Sequence, residues 1–198
     1  MSPGPLPQFD RQHVLASAMD LFWEQGYEAT GMTQLLEHVG IGRQSFYNTF
    51  GDKRSLYIEA LENYGSSCVN DAITLLEAPG SPLGNVRKLC KAWEEEARDP
   101  SFRGCMFGNA AAEFGRDDPA IAKCIEAGFD RAEKAFREAF ERAKEAGEIP
   151  KGTNTRDLAR AFVCTAQGLA VMGQIREDKL AFTRSVTRAL MALIPSND

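Results

Sequence analysis

Hydrophobic residues recur every three or four positions along most of the chain, and almost no segment alternates with a period of two. A spacing of three to four is typical of helices that bury one face, whereas half-buried strands alternate. Residues 118–146 give the clearest example, because their apolar positions step by 4, 4, 3, 4, 4 and 3. The pattern predicts an all-α protein with about nine helices.

Capping residues and breaks place these helices along the chain. Asp10 is a suitable N-cap for the first helix, which Gly26 ends. A long fourth helix is predicted over 52–77, and the proline- and glycine-rich segment 77–84 ends it. The other predicted helices cover about 32–39, 43–49, 86–98, 104–115, 118–146, 154–173 and 178–194.

Composition excludes several classes of protein. The chain has 198 residues, of which 43% are hydrophobic and 26% charged, so extended disorder and a fibrous fold are excluded. The net charge of −5 argues against a protein held to nucleic acid by bulk charge. Five cysteines without a close pair and two histidines near the N-terminus predict no disulfide framework, no metal site and no cofactor.

The longest apolar stretch, residues 158–172, is interrupted by Arg160 and Gln167, so we expect no transmembrane helix and no membrane partner. Residues 1–8 form a proline-containing leader, expected to be flexible. Because the leader lacks a basic and an apolar region, we expect no signal peptide. Together with the cysteine usage, this predicts a cytoplasmic protein.

Residues 31–50 carry the most informative pattern: a short helix, a glycine-containing turn and a second short helix, as in a helix-turn-helix motif. Phe46 and Phe50 are expected to anchor the second helix to the core. The residues left to face outward are Arg43, Gln44, Ser45, Tyr47, Asn48 and Thr49. Arginine and glutamine suit guanine and adenine edges, and the other side chains suit phosphate oxygens.

The region 9–63 resembles the TetR family of transcriptional regulators. The resemblance rests on spaced residues that include Leu21-Phe22, Gly26-Tyr27, Leu35-Leu36, Val39-Gly40-Ile41, Ser45-Phe46-Tyr47, Phe50 and Lys53. It implies a DNA-binding domain over 9–55 and a regulatory and dimerisation domain over 56–198. It also implies that Arg43 and Gln44 read bases, whereas phosphates are held by Thr30, Thr33, Tyr47 and Lys53.

Two features depart from the family pattern. Gly31 and Gly42 stand where the family usually has a serine or threonine cap. Residues 8–68 also contain four basic and eight acidic residues, so affinity for DNA must depend on few contacts and on a dimer.

The C-terminal region is expected to form an effector pocket between helices and a dimer interface. Candidate pocket residues are Trp93, Cys105, Met106, Phe107, Phe114, Phe129, Cys164 and Met172. Candidate interface residues are Leu158, Phe162, Leu169, Val186, Leu190 and Leu193. These sets predict a homodimeric repressor that a small molecule releases from a near-palindromic double-stranded operator.

Two other classes of function agree less well with the sequence. The chain has no phosphate-binding loop, zinc-protease motif or serine-hydrolase motif, so we expect no enzyme. A helical protein-interaction module without DNA binding is the alternative, but it should expose apolar anchors where Arg43, Gln44, Tyr47 and Lys53 stand.

Cys105 supports a further hypothesis of thiol sensing. It follows Gly104 at the expected start of the sixth helix, where free N–H groups stabilise a thiolate, and Arg103 is adjacent. The segment is similar to one in TetR-like regulators that sense electrophiles. The alternative is a small residue that packs against the fourth helix.

Overall fold

The computed structural model describes residues 9–196, so the predicted leader 1–8 lies outside the described residues. These residues form helices and no strand, which confirms the all-α prediction. The α-helices are α1 Arg11–Gln25, α2 Met32–Val39, α3 Arg43–Phe50, α4 Lys53–Tyr64, α5 Asn70–Glu77, α6 Pro82–Glu96, α7 Met106–Phe114, α8 Pro119–Glu145, α9 Thr155–Ile175 and α10 Lys179–Ala192.

The predicted fourth helix is one continuous element in three parts. A π-helical turn, Gly65–Val69, joins α4 to α5 without a break in the helical backbone. Counted this way, the described residues form the nine predicted helices. A π-helical turn widens the helix and disturbs its hydrogen bonds, and the guanidinium of Arg131 donates to the Gly65 carbonyl at 3.1 Å.

Side-chain caps begin several helices where the sequence predicts them. The Asp10, Asp118 and Asn154 side chains accept hydrogen bonds from backbone N–H groups in the first turns of α1, α8 and α9. Gly31 and Gly42, in contrast, begin α2 and α3 without a side-chain cap.

Two hydrophobic cores hold the helices together. The first core joins α1–α4 to α7 and the start of α8, where Met106, Phe107 and Ile121 are buried. The second core joins α5, α6, the rest of α8, α9 and α10 around Phe136, Phe140 and Phe162. The first core therefore continues past residue 55, and α7 packs as a part of it.

Candidate DNA-contact face and effector cavity

Helix α3 presents a polar face to solvent because Phe46 and Phe50 anchor its opposite side. Both phenylalanines are buried, and Tyr47 packs edge-on against Phe46 with ring centroids 5.5 Å apart. The exposed side chains of α3 are those of Arg43, Gln44, Ser45, Tyr47 and Asn48. Gln44 donates to Asn48 at 3.0 Å, so these two amides already form a pair on this face.

The basic residues of this region differ in their partners. Arg11 pairs with Glu59 at 2.6 Å, and Arg54 forms a bidentate pair with Asp118 at 2.5 and 2.7 Å. Within the described residues, Arg43 and Lys53 pair with no carboxylate. These two cations are therefore available to an external anion.

Lys53 lies at the start of α4, half-buried, with its ammonium 4.1 Å from the centroid of the Tyr27 ring. A cation over an aromatic face is attracted by the ring quadrupole. Tyr27 itself packs against Tyr57 and Phe114, at centroid distances of 5.0 and 5.2 Å. The position of Lys53 thus depends on a ring held between α4 and α7.

One predicted DNA contact is wrong. Thr30 is fully buried, and its hydroxyl donates to the Gly26 carbonyl at 2.6 Å. The hydroxyl closes the turn between α1 and α2, so it is not available to a phosphate. Thr33 is exposed near the start of α2, and its phosphate contact stays a prediction.

A cavity of about 520 Å³ lies where the two cores meet. Residues of the first core, such as Trp23 and Tyr64, form one wall. Residues of the second core, such as Leu89, Trp93 and Phe136, form the other. A volume of this order suits a small organic molecule.

The eight predicted pocket residues do not all lie at this cavity. Trp93 and Cys105 line the cavity, but the other six residues do not. Met106 and Phe107 are buried in the first core, and Phe129 packs against Phe107 at a centroid distance of 6.1 Å. Phe114 packs against Tyr27 and Tyr57 instead. Cys164 and Met172 point to solvent, because the opposite face of α9 packs inward.

Cys105 occupies the N-cap position of α7, half-buried, and its sulfur accepts a hydrogen bond from the Tyr64 hydroxyl at 3.4 Å. Burial raises the pKa of Tyr64 and keeps that hydroxyl protonated. The Arg103 guanidinium binds Asp20 and lies 4.3 Å from the Trp23 ring centroid. Thiol sensing by Cys105 stays a prediction.

Helix α7 and its flanking loops connect the cavity to α1–α4. Before α7, the Trp23 indole donates to the Gly104 carbonyl at 3.2 Å. Near its end, the Glu113 carboxylate accepts from the backbone N–H groups of Tyr27 and Glu28, at 3.0 and 2.7 Å. After α7, Arg54 holds Asp118 and lowers the pKa of that carboxyl to about 2. No pattern in the sequence indicates these pairings, because partners such as Glu113 and Tyr27 are 86 residues apart.

The predicted dimer interface needs a correction. Phe162, Leu169 and Leu190 are buried within the protomer, so they offer no surface to a partner. Leu158 and Val186 are partly buried, and Leu193 is exposed. Helix α9 instead exposes an apolar stripe at helical spacing, the α9 stripe: Cys164, Gly168, Val171, Met172 and Ile175.

Helix α9 is also long and apolar enough, by length and composition, to cross a membrane. The core helices of proteins that cross no membrane pass the same test, and here one face of α9 packs against α8 and α10. An exposed apolar stripe on such a helix fits a protein interface.

Comparisons with known proteins agree with this arrangement. The family profile "Bacterial regulatory proteins, tetR family" matches residues 14–60, and "Tetracyclin repressor-like, C-terminal domain" matches residues 82–189. The uncharacterized HTH-type transcriptional regulator YezE of Bacillus subtilis (strain 168) is 34% identical over 177 residues, which are 88% of this chain and 91% of YezE.

Two further relatives have more specific descriptions. The HTH-type transcriptional repressor ComR of Escherichia coli (strain K12) is 26% identical over 86% of this chain and 82% of ComR. A cysteine-substituted form of the TetR family regulator CifR, complexed with 26-bp double-strand operator DNA, superposes with a TM-score of 0.87. It shares 26% sequence identity and covers 97% of this chain and 100% of its own.

Proposed function

Because the chain belongs to the TetR family of bacterial transcriptional regulators, we propose that it is a homodimeric repressor which a small molecule releases from a near-palindromic operator. Its relatives are transcriptional regulators, and two of those described above bind operator DNA or are named repressors. A protein-interaction module without DNA binding does not agree with this membership. A repressor acts at the chromosome, so we propose a cytoplasmic location.

The observation that carries the proposal is the exposed polar face of α3 with Arg43 on it, together with Lys53 at the start of α4. Neither cation pairs with a carboxylate of the described residues. We expect Arg43 and Gln44 to contact base edges in the major groove, and Tyr47, Asn48 and Lys53 to bind phosphates. Because few cations are available, two copies of α3 must bind together, about 34–36 Å apart. The exposed α9 stripe supports such a dimer.

Helix α7 is the element through which we propose that the effector acts. The residues before it, Arg103–Cys105, line the cavity, and Glu113 near its end binds the turn that carries Tyr27. A ligand that displaces the start of α7 would move Glu113 and Phe114, and with them Tyr27 and Lys53. Release also requires that the ligand bind the DNA-free arrangement more tightly than the DNA-bound one.

The direct test is selection of bound duplexes from a random pool at several salt concentrations. The selected sites should contain two half-sites one helical turn apart. Arg43→Ala is expected to relax base preference at one position and to weaken binding by about 1–3 kcal/mol. Lys53→Ala should weaken binding to all sequences and lower the salt slope by about one. Equal binding of the wild type and both variants would contradict the proposal.

The role of α7 is tested by Glu113→Gln in the absence of effector. In Glu113 the two carboxylate oxygens accept hydrogen bonds from the N–H groups of Tyr27 and Glu28. The glutamine amide has no charge and only one acceptor oxygen, so it can accept at only one of these positions. We expect operator affinity to fall about three- to tenfold for all sequences, since a hydrogen bond to a charged group contributes about 1.5–3 kcal/mol and water replaces part of it.

Glu126→Gln is the matched control, because Glu126 is exposed on α8 and the change removes the same charge. Removal of a negative charge alone should strengthen DNA binding slightly. Equal changes of operator affinity in both variants would show that Glu113 acts only through its charge.

A further inference from the structure

Five aromatic side chains line the cavity. Both tryptophans of the chain, Trp23 and Trp93, line it, together with Tyr64, Phe102 and Phe136. Such faces bind flat apolar groups, and the same faces attract cations through their quadrupoles. The Trp23 and Phe102 rings already face Arg103 and Lys179, whereas no cation of the described residues lies over Trp93. Trp93 is therefore the ring left for a charged ligand, and the charges of the lining decide which charge it takes.

Four charged residues line the cavity, and their partners differ. The charge of Arg103 is compensated by Asp20 at 3.1 Å. Asp99 accepts two hydrogen bonds from Ser101, both at 2.7 Å. Asp71 and Glu96 have no cationic partner within the described residues. The uncompensated charge of the lining is therefore negative.

Glu96 is the better placed of the two carboxylates. It lies one helical turn after Trp93 on α6, on the face that carries Leu89 and Trp93 into the cavity wall. The side chain of Glu96 is exposed, yet the protein packed beside it raises the pKa of its carboxyl, because the charged form loses solvation there. A cation in the cavity would stabilise the ionised carboxylate of Glu96.

The neighbouring glutamates show that this arrangement is particular to Glu96. Glu94 accepts a hydrogen bond from Thr187 and pairs with Arg184, and Glu95 pairs with Arg98. From the sequence alone, the run Glu94–Glu96 is interpreted as a solvated charged face. Only the third carboxylate lines the cavity, next to an indole.

We infer that the cavity binds an apolar, aromatic molecule that carries one positive charge, with Glu96 as its counter-ion and Trp93 beside it. The inference rests on the proposed function, because it names the chemical class of the effector.

Three probes with the same ring system and different charges test the inference: biphenylmethylamine, biphenylmethanol and biphenylacetate. Titration calorimetry and quenching of tryptophan fluorescence should both report binding, since Trp23 and Trp93 line the cavity. At neutral pH the amine is expected to bind about tenfold more tightly than the alcohol, and the carboxylate most weakly. Glu96→Gln should reduce the preference for the amine to about the level of the alcohol.

Glu95→Gln is the matched control, because it removes the same charge from the same turn but from a residue that does not line the cavity. It should keep the preference, and thermal unfolding should confirm that both variants are folded. The inference is overturned if no probe binds, if the alcohol or the carboxylate binds as tightly as the amine, or if the preference survives Glu96→Gln.

Operator binding, measured on the same preparations without probes, separates the two proposals. If the protein prefers the amine but binds no DNA, the proposed repressor function is wrong and the proposed cation site is supported. If the protein binds its operator but shows no preference for the amine, only the proposed cation site is wrong.

Discussion

Replacement of Phe162 by alanine is expected to lower the free energy of unfolding by about 3–5 kcal/mol, the usual cost of removing a large side chain from a packed core. Phe162 is fully buried, and its ring centroid lies 5.3 and 5.2 Å from those of Phe136 and Phe140. The alanine would leave a cavity between α8 and α9. Denaturant unfolding at a fixed protein concentration measures the effect.

The matched variant is Ile175→Asp in the same helix. Ile175 is 78% exposed at the end of the α9 stripe, so its loss should leave the protomer folded. We expect it to shift sedimentation towards the monomer and to weaken operator binding with it, since a charge would be buried at the interface. A Phe162→Ala protein of wild-type stability would contradict the assignment of Phe162 to the core.

The error at Phe162 shows what periodicity in a sequence can and cannot specify. Apolar residues on α9 occur on both faces, at Phe162 and Leu169 on one and at Val171 and Ile175 on the other. A helix that is apolar on two sides gives no sign of which side faces its own protomer. The position of the helix could be predicted from the sequence, but its rotation depends on α8 and α10.

The helix-turn-helix region could be predicted in more detail because its contacts are local. Phe46 and Phe50 bury one side of α3, and Tyr47 and Asn48 between them are exposed. The predicted phosphate contact of Thr30 is wrong because its hydroxyl has a backbone acceptor four residues earlier, which competes with any external partner. The long-range links through Glu113 and Asp118 depend on how α7 packs, and no pattern in the sequence reports that packing.

Gly128→Ala is expected to destabilise the protein by about 1–3 kcal/mol, although alanine is the better helix former. A Cβ at Gly128 in α8 would lie 2.1 Å from Cε2 of Phe107, and one at Gly65 would lie 3.1 Å from Cζ of the same ring. The Phe107 ring is thus held in a notch between two glycines, one in α8 and one in the π-helical turn. In an open helical position the same substitution would stabilise by up to about 1 kcal/mol, so the sign of the change reports the clash.

A double-mutant cycle with Phe107→Leu tests whether the ring is the cause. Phe107→Leu alone should destabilise, because it removes part of a buried ring that contacts Tyr64 edge-on at a centroid distance of 5.1 Å. In that background the shorter side chain leaves room for a Cβ, so Gly128→Ala should cost less than it does in the wild type. The interaction energy from denaturant unfolding of the four proteins should reach about 1 kcal/mol or more. Strict additivity would mean that the notch does not fix α7, and the proposed path from the cavity to Lys53 would then lose the packing on which it depends.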